Sequence, residues 1–290
     1  MPGLSDYMAE NMLNFETGCV PMPALASRYL ALFTAAPNDS GSGGTEVSGG
    51  SYARVQVAGA LAAAGSFSTS STTIAMGSAA PAWIAPGMNV YDQTAGAQIG
   101  TVQSYTGTTL TLTAAAAHAS SGAADTLVFS AFPQASASSG SEPSTSPASV
   151  TNGSAIAFPV ATANWGTVVG FGLYDAPTGG NLITFDYIGG YKWSPFTCSA
   201  ASPGVLSCTD QSFSNGQPAV VTGKFGGTLP PTGGSWSGVL TVAGVAGSTF
   251  NLGVNTTGAG DGMVRPLVAQ SIPSGIGASF AANTLILTVA

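Results

Sequence analysis

Proton transfer and metal binding need ionisable side chains in groups, and this sequence keeps its few apart. The one histidine, His118, lies in the small-residue run AAAAHASSG, and a Ser-His-Asp triad or a multi-histidine metal site would have to be built from it alone. A solvated turn histidine is the expectation. The carboxylates are scattered singly: Asp92 and Asp125, then Asp175 and Asp186 flanking a predicted hairpin, then Asp210 and Asp261. A glycosidase brings two carboxyl groups within about 5–10 Å of each other. Asp175 and Asp186 are the pair a hairpin could place so, with turn or strand-edge acids as the default. The run from Gly258 to Gly262 (GAGDG) lacks the Lys-Ser/Thr of a phosphate loop and the strand-to-helix setting of a dinucleotide fingerprint, so it reads as a turn. Asp261 has no further carboxylate at calcium-loop spacing. No catalytic residue, cofactor or metal is expected, and the chain reads as a non-enzyme.

Aromatic side chains are the remaining binding candidates. Trp83, Tyr191, Trp193 and Trp236 lie beside Pro or Gly in the interior of the sequence. Exposed aromatics on β-modules stack on sugars or anchor protein interfaces, because they bring large area at low entropic cost. The alternative, that they fill small cores, is favoured for Trp83 and Trp236 and evenly balanced for Tyr191 and Trp193. A second candidate surface is N-terminal. Leu4, Tyr7, Met8, Met12 and Phe15 recur at helical spacing, with Ser5 to cap the first turn, and predict a helix over about 5–16. It either closes the end of a sandwich or docks into a neighbouring subunit.

Composition narrows the classes. Only 6% of the 290 residues are charged, against about 25% in an average soluble domain, so repulsion does little to keep copies apart. Such a chain is suited to permanent packing against other subunits. Its cations, Arg28, Arg54, Lys192, Lys224 and Arg265, form no cluster, which argues against nucleic acid as a ligand. No apolar run reaches the ~18 residues of a membrane span. The N-terminus carries acids where a secretory leader carries bases, so synthesis and retention in a cytoplasm until assembly are expected. The three cysteines include no CxxC pair; free thiols are expected, with a Cys198–Cys208 bond as the alternative.

The elements that must position these residues are strands. Residues 28–34 and 52–57 read as strands, the second alternating as a half-buried antiparallel strand does. The stretch 152–189 reads as three more, at 155–158 (ended by Pro159), 165–174 and 182–187, with a Pro/Gly turn at 175–180. Gly166, Gly170 and Gly172 within the second predict bulges or a close backbone approach. Residues 285–289 predict a strand buried on both faces. Short strands with frequent turn signals at 60–133 and 191–263 predict two small inserted β-modules, and the Ser/Pro/Ala run 134–149 a linker.

The strings LSDYMAENMLNF, YLALFTAAPNDSGSGGTEVSGGSYARV, FPVATANWGTVVGFGLYDAPTGGNLI and SFAANTLILTV occur in that order. Together they resemble a family of bacteriophage virion proteins, described as tail-fibre or tail-associated, over residues 1–58, 150–190 and 265–290. The cadence PGM…IGTV…TGTTLTLTAAA resembles modules of phage fibre and tail proteins, and 234–262 resembles another more weakly. The resemblance implies an all-β, antiparallel β-sandwich main domain with a short N-terminal helix and two inserted β-modules. It implies a structural component of a tailed-phage virion, attached to tail or neck, with other virion proteins as partners. A homotrimer is the first expectation. A head decoration protein and an adhesin reading a host surface glycan are the alternatives.

Overall fold

The computed structural model describes residues 3–20, 27–62, 65–122, 125–134, 148–189, 193–209, 212–223, 229–233, 236 and 238–289. It is an all-β protein of antiparallel sheets, with one helix, Asp6–Glu16, among the described residues.

The hairpin of Gly170–Tyr174 and Leu182–Tyr187 lies near one edge of the main sheet. Its turn is closed by Asp175, whose carboxylate accepts from the Asn181 backbone N–H (2.7 Å) and side-chain amide (2.8 Å). Gly170–Tyr174 is buried at every position and pairs on its other side with Arg28–Ala35. The glycines permit that closeness. A Cβ on Gly172 would lie 2.8 Å from the Phe33 ring, and one on Gly170 would lie 2.9 Å from the Asp186 carbonyl oxygen.

The run 165–174 is two strands rather than one. Thr167–Val168 pairs with Gln270–Ser271 in the opposite layer, and Gly170–Tyr174 with the main sheet. Between them Val169 donates to Phe33 O and accepts from Ile188 N, so the chain changes layers without leaving its backbone groups unpaired.

From Arg28–Ala35 the main sheet runs on through Val55–Ala62, Thr126–Ser130, Asn89–Asp92, Ala97–Thr106, Thr109–Leu112 and Thr73–Ala75, as part of an eleven-stranded sheet. Segment 60–133 therefore extends the sheet of the residues before it. One hydrophobic core covers both: Leu30 and Val57 from the first part, Ile74, Ile99, Leu110 and Phe129 from the segment, and Ile156 and Phe171 beyond it.

The opposite layer is a long two-stranded ribbon. Ala148↔Val289, Ile156↔Phe280, Val160↔Gly277 and Val168↔Gln270 keep nearly one register, broken by irregularities. Pro159 lies inside Ile156–Val160 instead of ending it; lacking a donor, it is accommodated where the register shifts between Ala157 and Val160. The largest break is held by the buried Asn152. Its amide donates to Ser154 O (2.7 Å) and Ala281 O (2.8 Å) and accepts from Thr284 N (3.1 Å) and Leu285 N (2.8 Å). The ribbon corrects the expectation for 285–289. Leu285 is buried but Ile286 and Leu287 are only half-buried, because a two-stranded layer covers one face of its strands.

Segment 191–263 folds differently. Its seven-stranded sheet begins at Leu240–Thr241 and ends at Ala243–Ala246, so the two outermost strands are joined through Val242 alone. A sheet whose outer strands are consecutive must curl toward a barrel. Inside are Phe196, Leu206, Trp236, Phe250 and Val264, a core separate from the larger one.

Candidate interaction surfaces

The N-terminal helix is fastened at one end. Ser5 is buried as its cap; its hydroxyl accepts from Met8 N (3.2 Å) and donates to Leu182 O. Ser5 N donates to Ile183 O (3.0 Å) and Asp6 N to Asp39 O (2.8 Å), which fixes the helix to the sheet edge. Beyond that anchor no helix residue is buried. Met8 and Met12 are half-buried, with Met8 against the large core, whereas Tyr7 is 36% and Phe15 56% exposed. Leu4 is a correction. It lies in the short strand Gly3–Leu4 paired with Leu182–Tyr187, since the extended cap at Ser5 starts the helix only at Asp6. Leu13, 61% exposed, is a further apolar side chain on the helix, outside the predicted stripe. An apolar residue on the face opposite the buried stripe was the available signal.

The inserted aromatics do not converge. Trp83 is half-buried and edge-on to Phe129, with ring centroids 6.3 Å apart. Trp236 is buried in the second module, and its indole N–H donates to Pro230 O at 2.9 Å. Trp193 is half-buried beside Ser194–Cys198. Tyr191 lies outside the described residues.

A cavity of about 560 Å³ lies where the sandwich, the ribbon and the last strand of the second module meet. Phe171, Tyr187, Ile272, Phe280 and Leu285 supply apolar walls, and Arg265 lies against it. Arg265, on Gly260–Pro266 of the module, is 3% exposed; it donates to the Asp186 carboxylate (2.6 Å) and to Tyr187 O (3.1 Å) on the main sheet. Burial pushes the Tyr187 phenol up, partly offset by Arg265. No sequence pattern pointed to this junction, because its parts come from stretches about eighty residues apart.

The hairpin acids weighed as a pair stand apart. Asp186 stands opposite Phe171 and Asp175 follows Tyr174, so the two acids are four strand positions apart, about 13 Å at ~3.3 Å per residue. That exceeds the separation a carboxylate pair needs. His118 is half-buried, its ring nitrogens facing Ala119 O (2.9 Å) and Ala97 O (3.4 Å). Among the described residues no group of three or more His, Cys, Asp or Glu side chains is placed to hold a metal. Cys19, Cys198 and Cys208 are free thiols. Cys198 faces Leu206, not Cys208, across its hairpin.

Polar geometry is densest in a structural cluster. Arg54 makes a two-point pair with Glu46 (2.8 and 2.7 Å), donates to Ala176 O and Gly179 O of the hairpin turn, and stacks 3.5 Å from the Tyr174 ring centroid. The Tyr52 hydroxyl accepts from Leu32 N and donates to Glu46. These contacts satisfy one another and leave no group poised to react.

What the molecule offers is thus an anchored helix with an apolar free surface, a junction cavity and open ribbon edges: the features of an assembly component. No curated protein and no solved structure matches the chain. A family of virion fibres does, over residues 3–132 and 92–189, well over half of the sequence. The chain belongs to the family described as podophage GP4 fiber I protein gp80.

Proposed function

We propose that this chain is a non-enzymatic fibre or appendage subunit, attached to the tail or neck of the particle through its main sandwich and N-terminal helix. The observation that carries the reading is the helix, held by the Ser5 cap to the sheet edge while Tyr7, Leu13 and Phe15 face solvent. An unburied apolar surface on a rigidly anchored element is suited to insertion between neighbouring subunits. With 6% charged residues, attachment rests on apolar burial and on main-chain pairing at ribbon edges. The subunit assembles in the host cytoplasm as a homo-oligomer, a trimer first. The 191–263 module, with its own core, points outward, and 60–133 strengthens the attached body.

Imaging the virion with this subunit located tests the attachment, together with a Leu13→Asp/Phe15→Asp double variant. The variant is expected to fold and to be absent from particles; normal incorporation would refute the helix's role. Release of the subunit from particles at moderate salt would contradict apolar attachment, since only charge-based contacts are screened there. Hundreds of copies per particle would mean a head decoration protein.

A second reading, a host-glycan adhesin, is favoured by Trp193, which remains half-exposed where the second module begins. Glycan-array binding that disappears in Trp193→Ala would support it.

A further inference from the structure

We propose that Asp92 and Asp125 bind a hard divalent cation, calcium by preference, inside segment 60–133. Asp92 closes the strand Asn89–Asp92 and is 0% exposed; Asp125 directly precedes Thr126–Ser130 and is 5% exposed. Asp92 stands opposite Leu127, and Gln93 N donates to Thr126 O. This antiparallel register puts the two aspartates diagonally across one face, at the distance where side chains meet.

Both carboxyl groups accept main-chain hydrogen bonds. Asp92 Oδ1 accepts from Thr94 N (2.8 Å) and Ala95 N (3.1 Å), and Asp125 accepts from the Ser121 backbone N–H and hydroxyl, each at 2.7 Å. The Asp92 and Asp125 carboxyl groups lie within hydrogen-bonding reach of each other. Asp92 Oδ2, however, is buried and has no hydrogen-bond donor. An unpartnered carboxylate oxygen beside a second carboxylate needs a positive charge.

The segment's own sequence supplies none. Residues 60–133 contain no Lys and no Arg, and the ring nitrogens of His118 face main-chain carbonyls. The ligands the pair brings are all oxygen: two carboxylates and the Ser121 hydroxyl. Oxygen-only sites suit calcium or magnesium. Calcium tolerates an irregular shell completed by water, whereas magnesium demands a near-ideal octahedron, so two carboxylates on paired strands favour calcium.

The test uses the full chain, stripped with EDTA and then titrated with calcium chloride. A melting temperature about 5 °C higher in ~10 mM calcium is expected, with a smaller rise in magnesium. Terbium should give sensitised luminescence that calcium displaces. Asp92→Asn should keep the circular dichroism spectrum and lose both responses. A wild-type protein with neither a calcium shift nor terbium luminescence overturns the proposal whatever the variant does. A melting temperature that rises on mild acidification but not with calcium also overturns it, and would assign the balancing charge to a proton shared by the two carboxyls.

Discussion

Segments 60–133 and 191–263 both interrupt the sandwich with short strands and few charges, yet they join it in opposite ways. The first adds strands to the sheet begun by Arg28–Ala35 and Val55–Ala62, and its Ile74, Ile99 and Leu110 pack in the same core as Leu30 and Ile156. The second curls its sheet around Phe250 and Trp236 and meets the sandwich mainly where it leaves: Arg265 on Asp186, and Val268 N on Ile188 O. An insertion that extends a sheet becomes part of one cooperative core, whereas one that closes on itself keeps a stability of its own. The family match follows the same division, running through the first segment and ending at residue 189.

The strongest attack on this contrast is to remove each segment in turn. Ala62 pairs with Thr126, so a two-residue Asn-Gly link in place of 63–125 is geometrically permissible. We expect that deletion to abolish cooperative folding, because the ribbon would face a core without Ile74, Val90, Ile99, Leu110 and Leu112. Joining Gly189 to Val268 removes the second module where the chain ends already meet. That shortened chain should keep its β-type circular dichroism and melt within about 5 °C of the corresponding transition in the full protein. If both deletions unfold, or neither does, the two segments are not different in kind.

Point substitutions sharpen the same comparison. Phe129 and Phe250 are both fully buried, one in each core. Truncation to alanine should cost about 3–5 kcal/mol at either site. Calorimetry should show Phe129→Ala lowering only the sandwich transition and Phe250→Ala only the module transition. A common shift in both variants would mean that the cores melt together.

The junction predicts a smaller effect. Breaking a buried ion pair by removing one partner costs about 3–5 kcal/mol. Arg265→Met should fall at or below the low end, because the Asp186 side chain is 20% exposed and can rehydrate. The expected result is wider separation of the two transitions, not the loss of either.

Much of this architecture could be read from local signals. The Ser5 cap, the strands read at 28–34 and 182–187 and the hairpin turn at 175–180 each depend on residues within one turn or one alternation period, and they lie within a residue of where the pattern put them. What escaped depended on distant partners. The break of 165–174 at Val169 is dictated by Phe33 and Ile188, and the continuity of 60–133 with the main sheet by the pairing of Val55–Ala62 with Thr126–Ser130. The junction cavity and the Arg265–Asp186 pair had no local signature. The N-terminal surface was legible as an apolar stripe. Leu4 left it for a strand and Leu13 is exposed outside it, because exposure depends on what the rest of the chain covers.

The mildest probe labels thiols and reads the module from within. Cys198 and Cys208 are 4% and 2% exposed in the second core, whereas Cys19 is exposed just past the helix. The sandwich core contains no cysteine among the described residues, so buried-thiol labelling reports on the module alone. Burial pushes the Cys198 thiol up, away from the reactive thiolate. A disulfide reagent at pH 8 should therefore modify one thiol at once and two more slowly, at the rate at which the module opens. Arg265→Met should accelerate the slow phase by roughly tenfold if the junction lends the module about 1.4 kcal/mol, and leave Cys19 unchanged. Three thiols reacting together in the native protein would show that the module has no protected core. A slow phase indifferent to Arg265 would show that the junction lends the closed sheet no stability.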